Sequence, residues 1–84
     1  MEKNLYTGRQ AIILRLLRSV RKEADLRQKD VAEILDRPQS FVSKYESGER
    51  RLDVLELHDV CEALGLPLNE FVVQLESKLR NRNV

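Results

Sequence analysis

Residues 28–48, QKDVAEILDRPQSFVSKYESG, decide the fold, because they predict two short helices separated by a tight turn. Pro38 marks the break, since proline fits the first turn of a helix but not its interior. The second helix carries apolar residues on one side and small polar or basic residues on the other. This division is typical of a helix that packs on its own protein with one face and enters a DNA groove with the other.

Apolar residues recur at helical spacing outside this stretch as well, and they predict five helices. Gly48 and Gly65 are natural helix ends, and Asp53 with Glu56 forms a capping box, as does Thr7 with Gln10. The predicted helices cover about 8–23, 28–35, 38–48, 53–64 and 67–80. The predicted buried positions include Ile13, Leu17, Val20, Ala24, Val31, Ala32, Leu35, Val42, Tyr45, Val54, Leu57, Val60, Cys61, Leu64 and Phe71. The 84 residues therefore predict one all-α domain, a five-helix bundle with its core at about residues 9–72.

The net charge of +1 hides an uneven distribution. Residues 1–51 carry 12 Lys/Arg and 8 Asp/Glu, or +4, whereas residues 52–84 carry 3 and 6, or −3. The basic excess accompanies the two-helix unit and favours a phosphate-facing surface, although a solvated surface of uneven charge explains it equally well. A single cysteine and the lack of any long apolar run predict a cytoplasmic protein that does not enter a membrane.

Between about Ile13 and Phe71 the chain resembles the Cro/cI-type helix-turn-helix proteins, also called the xenobiotic response element (XRE) family. The resemblance rests on Arg21, on L-x-Q-x-x-V-A at 26–32, on V-S-K-Y-E-S-G at 42–48 and on A-L-G at 63–65. It implies a lambda-repressor-like fold and double-stranded DNA as the partner. It implies no cofactor, and it implies association with the nucleoid through DNA.

In the family, the helix that matches residues 39–47 lies in the major groove. Glutamine bonds adenine at two points, lysine reaches the acceptors of guanine, and serine suits several bases. Phe41 is placed either to touch a thymine methyl or to lie at the edge of the core. The predicted base-reading residues are Gln39, Ser40, Phe41, Ser43 and Lys44, with an ordinary exposed helix face as the alternative.

The resemblance also implies contacts to the DNA backbone and one structural ion pair. Gln28 occupies a position that bonds a phosphate and braces Gln39, and helix N-terminal amides favour phosphate for the same reason. Arg21 and Glu46 occupy positions that pair the first helix with the end of the reading helix. The predicted backbone contacts are Gln28, Arg37, Arg50 and Arg51, with solvated charge as the alternative for the arginines.

Three residues depart from the family pattern, all beside the turn. Arg27 stands where the second helix usually has a serine or threonine cap, and Pro38 stands at the usual cap of the reading helix. Asp36 replaces the usual turn glycine, but aspartate tolerates left-handed backbone better than most residues do.

The fifth helix has more apolar surface than so small a bundle needs. Val72, Leu75 and Leu79 predict a two-fold contact between copies, with complete folding onto the monomer as the alternative. His58 and Cys61 lie three residues apart, but no further ligand is evident, so we expect a surface histidine, a buried cysteine and no metal. No arrangement of catalytic residues is evident either, and no enzyme is predicted.

The sequence therefore predicts a bacterial or phage transcriptional regulator, a repressor or controller protein that binds a palindromic operator as a homodimer. A restriction-modification controller and a phage-type repressor are both open. The first alternative is an antitoxin-like module that holds a protein partner and binds DNA secondarily. The second is a structural or RNA-associated adaptor.

Overall fold

A computed structural model describes residues 8–81, which form five α-helices and no strand. The helices are α1 (Gly8–Glu23), α2 (Gln28–Leu35), α3 (Gln39–Ser47), α4 (Val54–Leu64) and α5 (Leu68–Arg80). These bounds confirm the predicted all-α bundle. The capping box predicted at Thr7 lies outside the described residues. None of the helices in 8–81 is long and apolar enough to cross a membrane.

Left-handed residues close four of the five helices, and Asp25 does so after α1 at φ 62°. Gly48 ends α3 at φ 90°, and Gly65 ends α4 at φ 78°. Asp36 adopts φ 58° and ψ 45° after α2, so aspartate takes the geometry for which the family uses glycine. The predicted box at α4 is present: the Glu56 N–H donates to Asp53 at 2.7 Å, and the Asp53 N–H donates to Glu56 at 3.0 Å.

The start of α2 is stabilised without a conventional cap. An arginine side chain only donates hydrogen bonds, so Arg27 cannot accept one from the helix amides. Asp30 supplies the reciprocal half of a capping box, since its carboxylate accepts the Arg27 backbone N–H at 2.7 Å. The Arg27 guanidinium also donates to this carboxylate, and these bonds lower the pKa of Asp30 to about 2. The predicted weak cap is therefore replaced by an i,i+3 pair.

The core lies where all five helices meet. Helix α3 packs against α1 and α2, α4 packs against α2 and α5, and α1 also packs against α5. Two predicted core residues are exposed. Ala24 follows the last residue of α1, and Val54 is the first residue of α4, which meets the core only from Leu57 onward. The fully buried side chains are Leu17, Val31, Val42, Tyr45, Val60, Cys61 and Phe71.

Candidate nucleic-acid interface

Helix α3 divides into a packed side and an open side. Successive residues of an α-helix are rotated by about 100°, so the polar positions of α3 other than Glu46 fall within one arc of about 140°. Val42 and Tyr45 lie on the opposite side, in the core. The residues of the open arc, in order around the helix, are Gln39, Ser43, Ser47, Ser40 and Lys44, and all are exposed except the half-buried Ser43.

Phe41 lies outside this open arc, which favours the predicted core-edge alternative over a contact with a thymine methyl. Phe41 occupies the position next to Lys44 around the helix axis, but only 8% of the residue is exposed. The ring packs edge-on against Tyr45, with 5.5 Å between ring centroids. The guanidinium groups of Arg37 and Arg50 lie over it, 4.3 and 4.8 Å from its centroid. Phe41 therefore lies at the edge of the core, and its ring packs against two guanidinium groups.

One edge of the open arc is bounded by the Arg21–Glu46 ion pair. The Arg21 Nε donates to Glu46 Oε2 at 2.7 Å, and Nη2 donates to Oε1 at 3.0 Å. The third guanidinium nitrogen, Nη1, donates to the Leu26 carbonyl at 2.9 Å. Only 9% of the Arg21 side chain and 5% of that of Glu46 are exposed. The hydrogen bond to Glu46 raises the pKa of Arg21. A nearly buried charged pair therefore joins α1 to the end of α3.

Gln28 lies on the same edge, but it does not brace Gln39 as predicted. Its Nε2 donates to Glu46 Oε1 at 3.0 Å, which ties the start of α2 to the ion pair instead. An amide group has two N–H donors, so one remains for a phosphate. The backbone amides of the α2 N-terminus lie beside it and favour the same kind of ligand.

Sequence reasoning missed Arg18, which lies on this edge as well. Its exposed side chain lines a surface depression together with Gln28, Ser43 and Ser47. No described residue forms an ion pair with Arg18, so its charge is available to a phosphate. A signal was present in the sequence, because Arg18 precedes Arg21 by one helical turn and so shares its face of α1.

The other edge of the open arc, next to Lys44, is bounded by four residues that we call the Glu56 cluster: Arg37, Phe41, Arg50 and Glu56. Arg50 Nη1 and Nη2 donate to the two carboxylate oxygens of Glu56 at 3.0 and 2.7 Å. Arg37 Nη2 lies 3.9 Å from Glu56 Oε2. Arg50 also donates to the Arg51 carbonyl at 2.9 Å. The cluster joins the α2–α3 turn, α3, the following loop and α4.

Arg50 is therefore more constrained than the sequence predicts. Its pairing with Glu56 lowers the pKa of that carboxyl to about 2 and raises the pKa of the guanidinium. Nε and one N–H of Nη2 keep free donors, so Arg50 can meet a phosphate only in the orientation that Glu56 imposes. The exposed side chain of Arg51 takes no part in these contacts and has no ion-pair partner among residues 8–81.

The exposed apolar residues of α5 differ in part from the predicted dimer stripe. Leu75 and Leu79 are half-buried, and Leu75 packs against the core. Val72 is 45% exposed and its neighbour Val73 is 68% exposed. The most accessible apolar surface of this helix is therefore centred on the two valines.

His58 and Cys61 occupy the predicted environments. Cys61 is fully buried, and burial raises the pKa of its thiol to about 11, which keeps it protonated. His58 is exposed on α4, with its Nδ1 3.3 Å from Asp59 and its Nε2 3.9 Å from Glu62. A protonated thiol is a poor metal ligand, and no group of three potential ligands converges among residues 8–81.

Comparison with known proteins finds a matching family model and solved structures with the same fold. The family model HTH_3, described as helix-turn-helix, matches residues 17–71. An XRE-family like protein from Pseudomonas syringae pv. tomato str. DC3000 has a solved structure that is 44% identical, with a TM-score of 0.79, over 83% of this chain and 85% of that chain. No functionally curated protein matches.

Two mutant forms of the restriction-modification controller protein C.Esp1396I also share the fold. The first has a TM-score of 0.82 at 20% identity and covers 99% of this chain and 100% of its own. The second has a TM-score of 0.83 at 17% identity and covers 92% and 100%. At these identities the likeness concerns the arrangement of the helices alone.

Proposed function

Since the chain belongs to the XRE family of helix-turn-helix proteins, we propose that it is a transcriptional regulator, a repressor or controller, that binds a palindromic operator as a homodimer. The observation that carries the proposal is the open arc of α3. This arc presents side chains with base-bonding chemistry between two edges that hold phosphate-binding groups. Such an arrangement suits a helix in the major groove with a DNA strand on either side.

The open arc supplies the proposed base contacts. Gln39 offers a donor and an acceptor for the edge of adenine, and Lys44 offers donors for the N7 and O6 acceptors of guanine. Ser40 and Ser43 supply smaller groups between them. Ser43 donates to the Ser40 carbonyl at 3.3 Å in the free protein, a bond that a base acceptor can replace.

The two edges supply the proposed phosphate contacts. Gln28, the α2 N-terminus and Arg18 act on one edge, and Arg37, Arg50 and Arg51 act on the other. Contacts of this kind fix the register of the protein on the duplex without selecting a sequence. They also release counterions, so affinity falls steeply with salt.

Dimerisation is proposed through α5. One α3 helix reads only a few base pairs, whereas a two-fold pair reads two half-sites about 34 Å apart. Val72 and Val73 supply exposed apolar surface for such a contact, with Leu75 and Leu79 beside them. A two-fold interface uses the same surface on both copies, and the operator then shares its symmetry.

Selection of bound duplexes from a random DNA pool tests the proposal. We expect enrichment of a palindrome whose half-sites are one helical turn apart. Enrichment of one asymmetric site would contradict the homodimer, and no enrichment at all would contradict sequence-specific regulation.

An antitoxin-like interaction module is the second candidate, because the exposed valines of α5 also suit a protein partner. Size-exclusion chromatography with light scattering separates the two. A stable homodimer without a partner supports the regulator. A monomer whose DNA binding shows no sequence preference supports the interaction module.

A further inference from the structure

Glu56 makes two sets of contacts with one carboxylate. It accepts the Asp53 backbone N–H, which closes the N-terminal cap of α4. It also accepts two hydrogen bonds from Arg50, which lies in the loop after α3. A cap needs only the first of these contacts, so the pairing with Arg50 requires a separate explanation.

The pairing fixes both the position and the plane of the Arg50 guanidinium. Two parallel N–H···O bonds align the guanidinium plane with the carboxylate of Glu56. The Cζ atom of Arg50 lies 4.8 Å from the centroid of the Phe41 ring. Arg37 approaches the same carboxylate and the same ring from the α2–α3 turn. One acidic and one aromatic side chain therefore gather two cations that are remote in sequence.

The cations gather at the Lys44 edge of the open arc, where a DNA strand is expected. A long cationic side chain normally loses rotamer freedom when it binds a phosphate, and this loss is a cost to the affinity. Arginines already held in the free protein avoid much of this cost. The benefit is restricted to a complex in which the phosphates meet the held orientation.

We propose that Glu56 is a positioning residue for operator recognition, holding Arg37 and Arg50 against Phe41 so that they meet the phosphates only when α3 is in register. This inference rests on the proposed function. It implies that a negative charge beside the DNA improves discrimination. Glu56 repels every duplex equally, but it orients the arginines for the operator alone.

The substitution Glu56→Gln tests this role, because glutamine at the same position retains the capping box. Binding of the selected operator and of a scrambled duplex of equal length is measured by fluorescence anisotropy over a range of salt concentrations. We expect the scrambled duplex to bind more tightly and the operator to bind more weakly. The ratio of the two affinities is expected to fall about tenfold, the effect of freeing two arginine side chains.

Glu49→Gln is the matched control, since Glu49 is an exposed neighbour whose side chain forms no hydrogen bond or ion pair among residues 8–81. It removes the same charge and is expected to tighten both duplexes alike, leaving the ratio unchanged. Arg50→Lys is a second variant that keeps the charge but loses the bidentate pair. It is expected to weaken the operator while the scrambled duplex binds as before.

The outcomes separate this inference from the proposed function. If the wild-type protein prefers its operator but Glu56→Gln behaves like Glu49→Gln, the positioning role is wrong. The positioning role is also wrong if Arg50→Lys keeps the wild-type ratio of operator affinity to scrambled-duplex affinity. If the wild-type protein shows no preferred sequence, the proposed function itself fails.

Discussion

At the scale of single residues, burial decides how much an ion pair contributes to the stability of the fold. Arg21–Glu46 and Arg80–Glu76 have the same shortest N–O distance, 2.7 Å. The first pair is nearly buried, whereas the side chains of the second are 77% and 56% exposed. Exposed pairs contribute little because water competes for both partners, while breaking a buried pair leaves an uncompensated charge.

Arg21→Ala is therefore expected to lower the free energy of unfolding by about 3 kcal/mol. Arg80→Ala removes the same chemical group and is expected to cost less than about 1 kcal/mol. Urea denaturation monitored by circular dichroism measures both. Equal losses in the two variants would show that the Arg21 pair is not structural.

The individual site residues were predicted unequally well. Helical periodicity places Gln39, Ser40 and Lys44 on an open face, and the structure agrees. Phe41 lies at the boundary of that face, so only its tertiary contacts with Arg37 and Arg50 decide which side it joins. The partner of Arg50 is equally hidden, because Glu56 is six residues away across a loop and looks in the sequence like a cap alone.

At the scale of elements, the helix ends were predictable because they follow local chemistry. Gly48, Gly65 and the Asp53–Glu56 box act within a few residues of the chain, and each occupies its predicted place. The limits of burial were less predictable. Val54 continues the apolar spacing of α4, but it is 66% exposed and lies outside the core.

The left-handed end of α4 predicts that the same substitution, glycine to alanine, has different effects on stability at two positions. Gly65→Ala meets open space, but its φ of 78° is strained for any residue with a Cβ, so we expect a loss of about 1 kcal/mol. Gly8→Ala at the start of α1 also meets open space without that strain and is expected to cause no loss. Thermal melting of the two variants checks this, and equal midpoints would contradict it.

The ion pair at the start of α4 also predicts that the stability of the fold falls at acidic pH. Glu56 has a pKa of about 2 in the fold against an ordinary value of 4.5, so the unfolded chain binds its proton first. The resulting stability is complete above pH 4.5 and is lost as the pH falls towards 2. Glu56→Gln is expected to lose less stability across this window than the wild-type protein. An unchanged slope, with Glu49→Gln as control, would refute the pairing.

At the scale of the whole molecule, the basic excess and the proposed dimer contact lie in different parts of the chain. The basic excess of residues 1–51 accompanies the proposed DNA face. The accessible valines lie on α5, outside the helix-turn-helix unit. Composition alone could not separate these surfaces, because the net charge nearly cancels and part of the α5 stripe packs on the core.

Val72→Asp is expected to convert the homodimer to a monomer, since it places a charge in the proposed two-fold contact. Ile34→Asp is the matched control, because Ile34 is an apolar residue on α2 that is 57% exposed. Light scattering is expected to give one chain mass for the first variant and two for the second. The account of the interface is wrong if Ile34→Asp alone dissociates the dimer.

Selection from the random DNA pool with the Lys44→Ala variant tests the central claim most directly. If α3 reads bases as proposed, the variant should recover the wild-type palindrome with its preference lost at one symmetric position in each half-site. The expected cost is about 1–3 kcal/mol per contact on the wild-type operator. Recovery of the unchanged wild-type palindrome, or a uniform weakening on all sequences, would contradict the assignment of α3 as the reading helix.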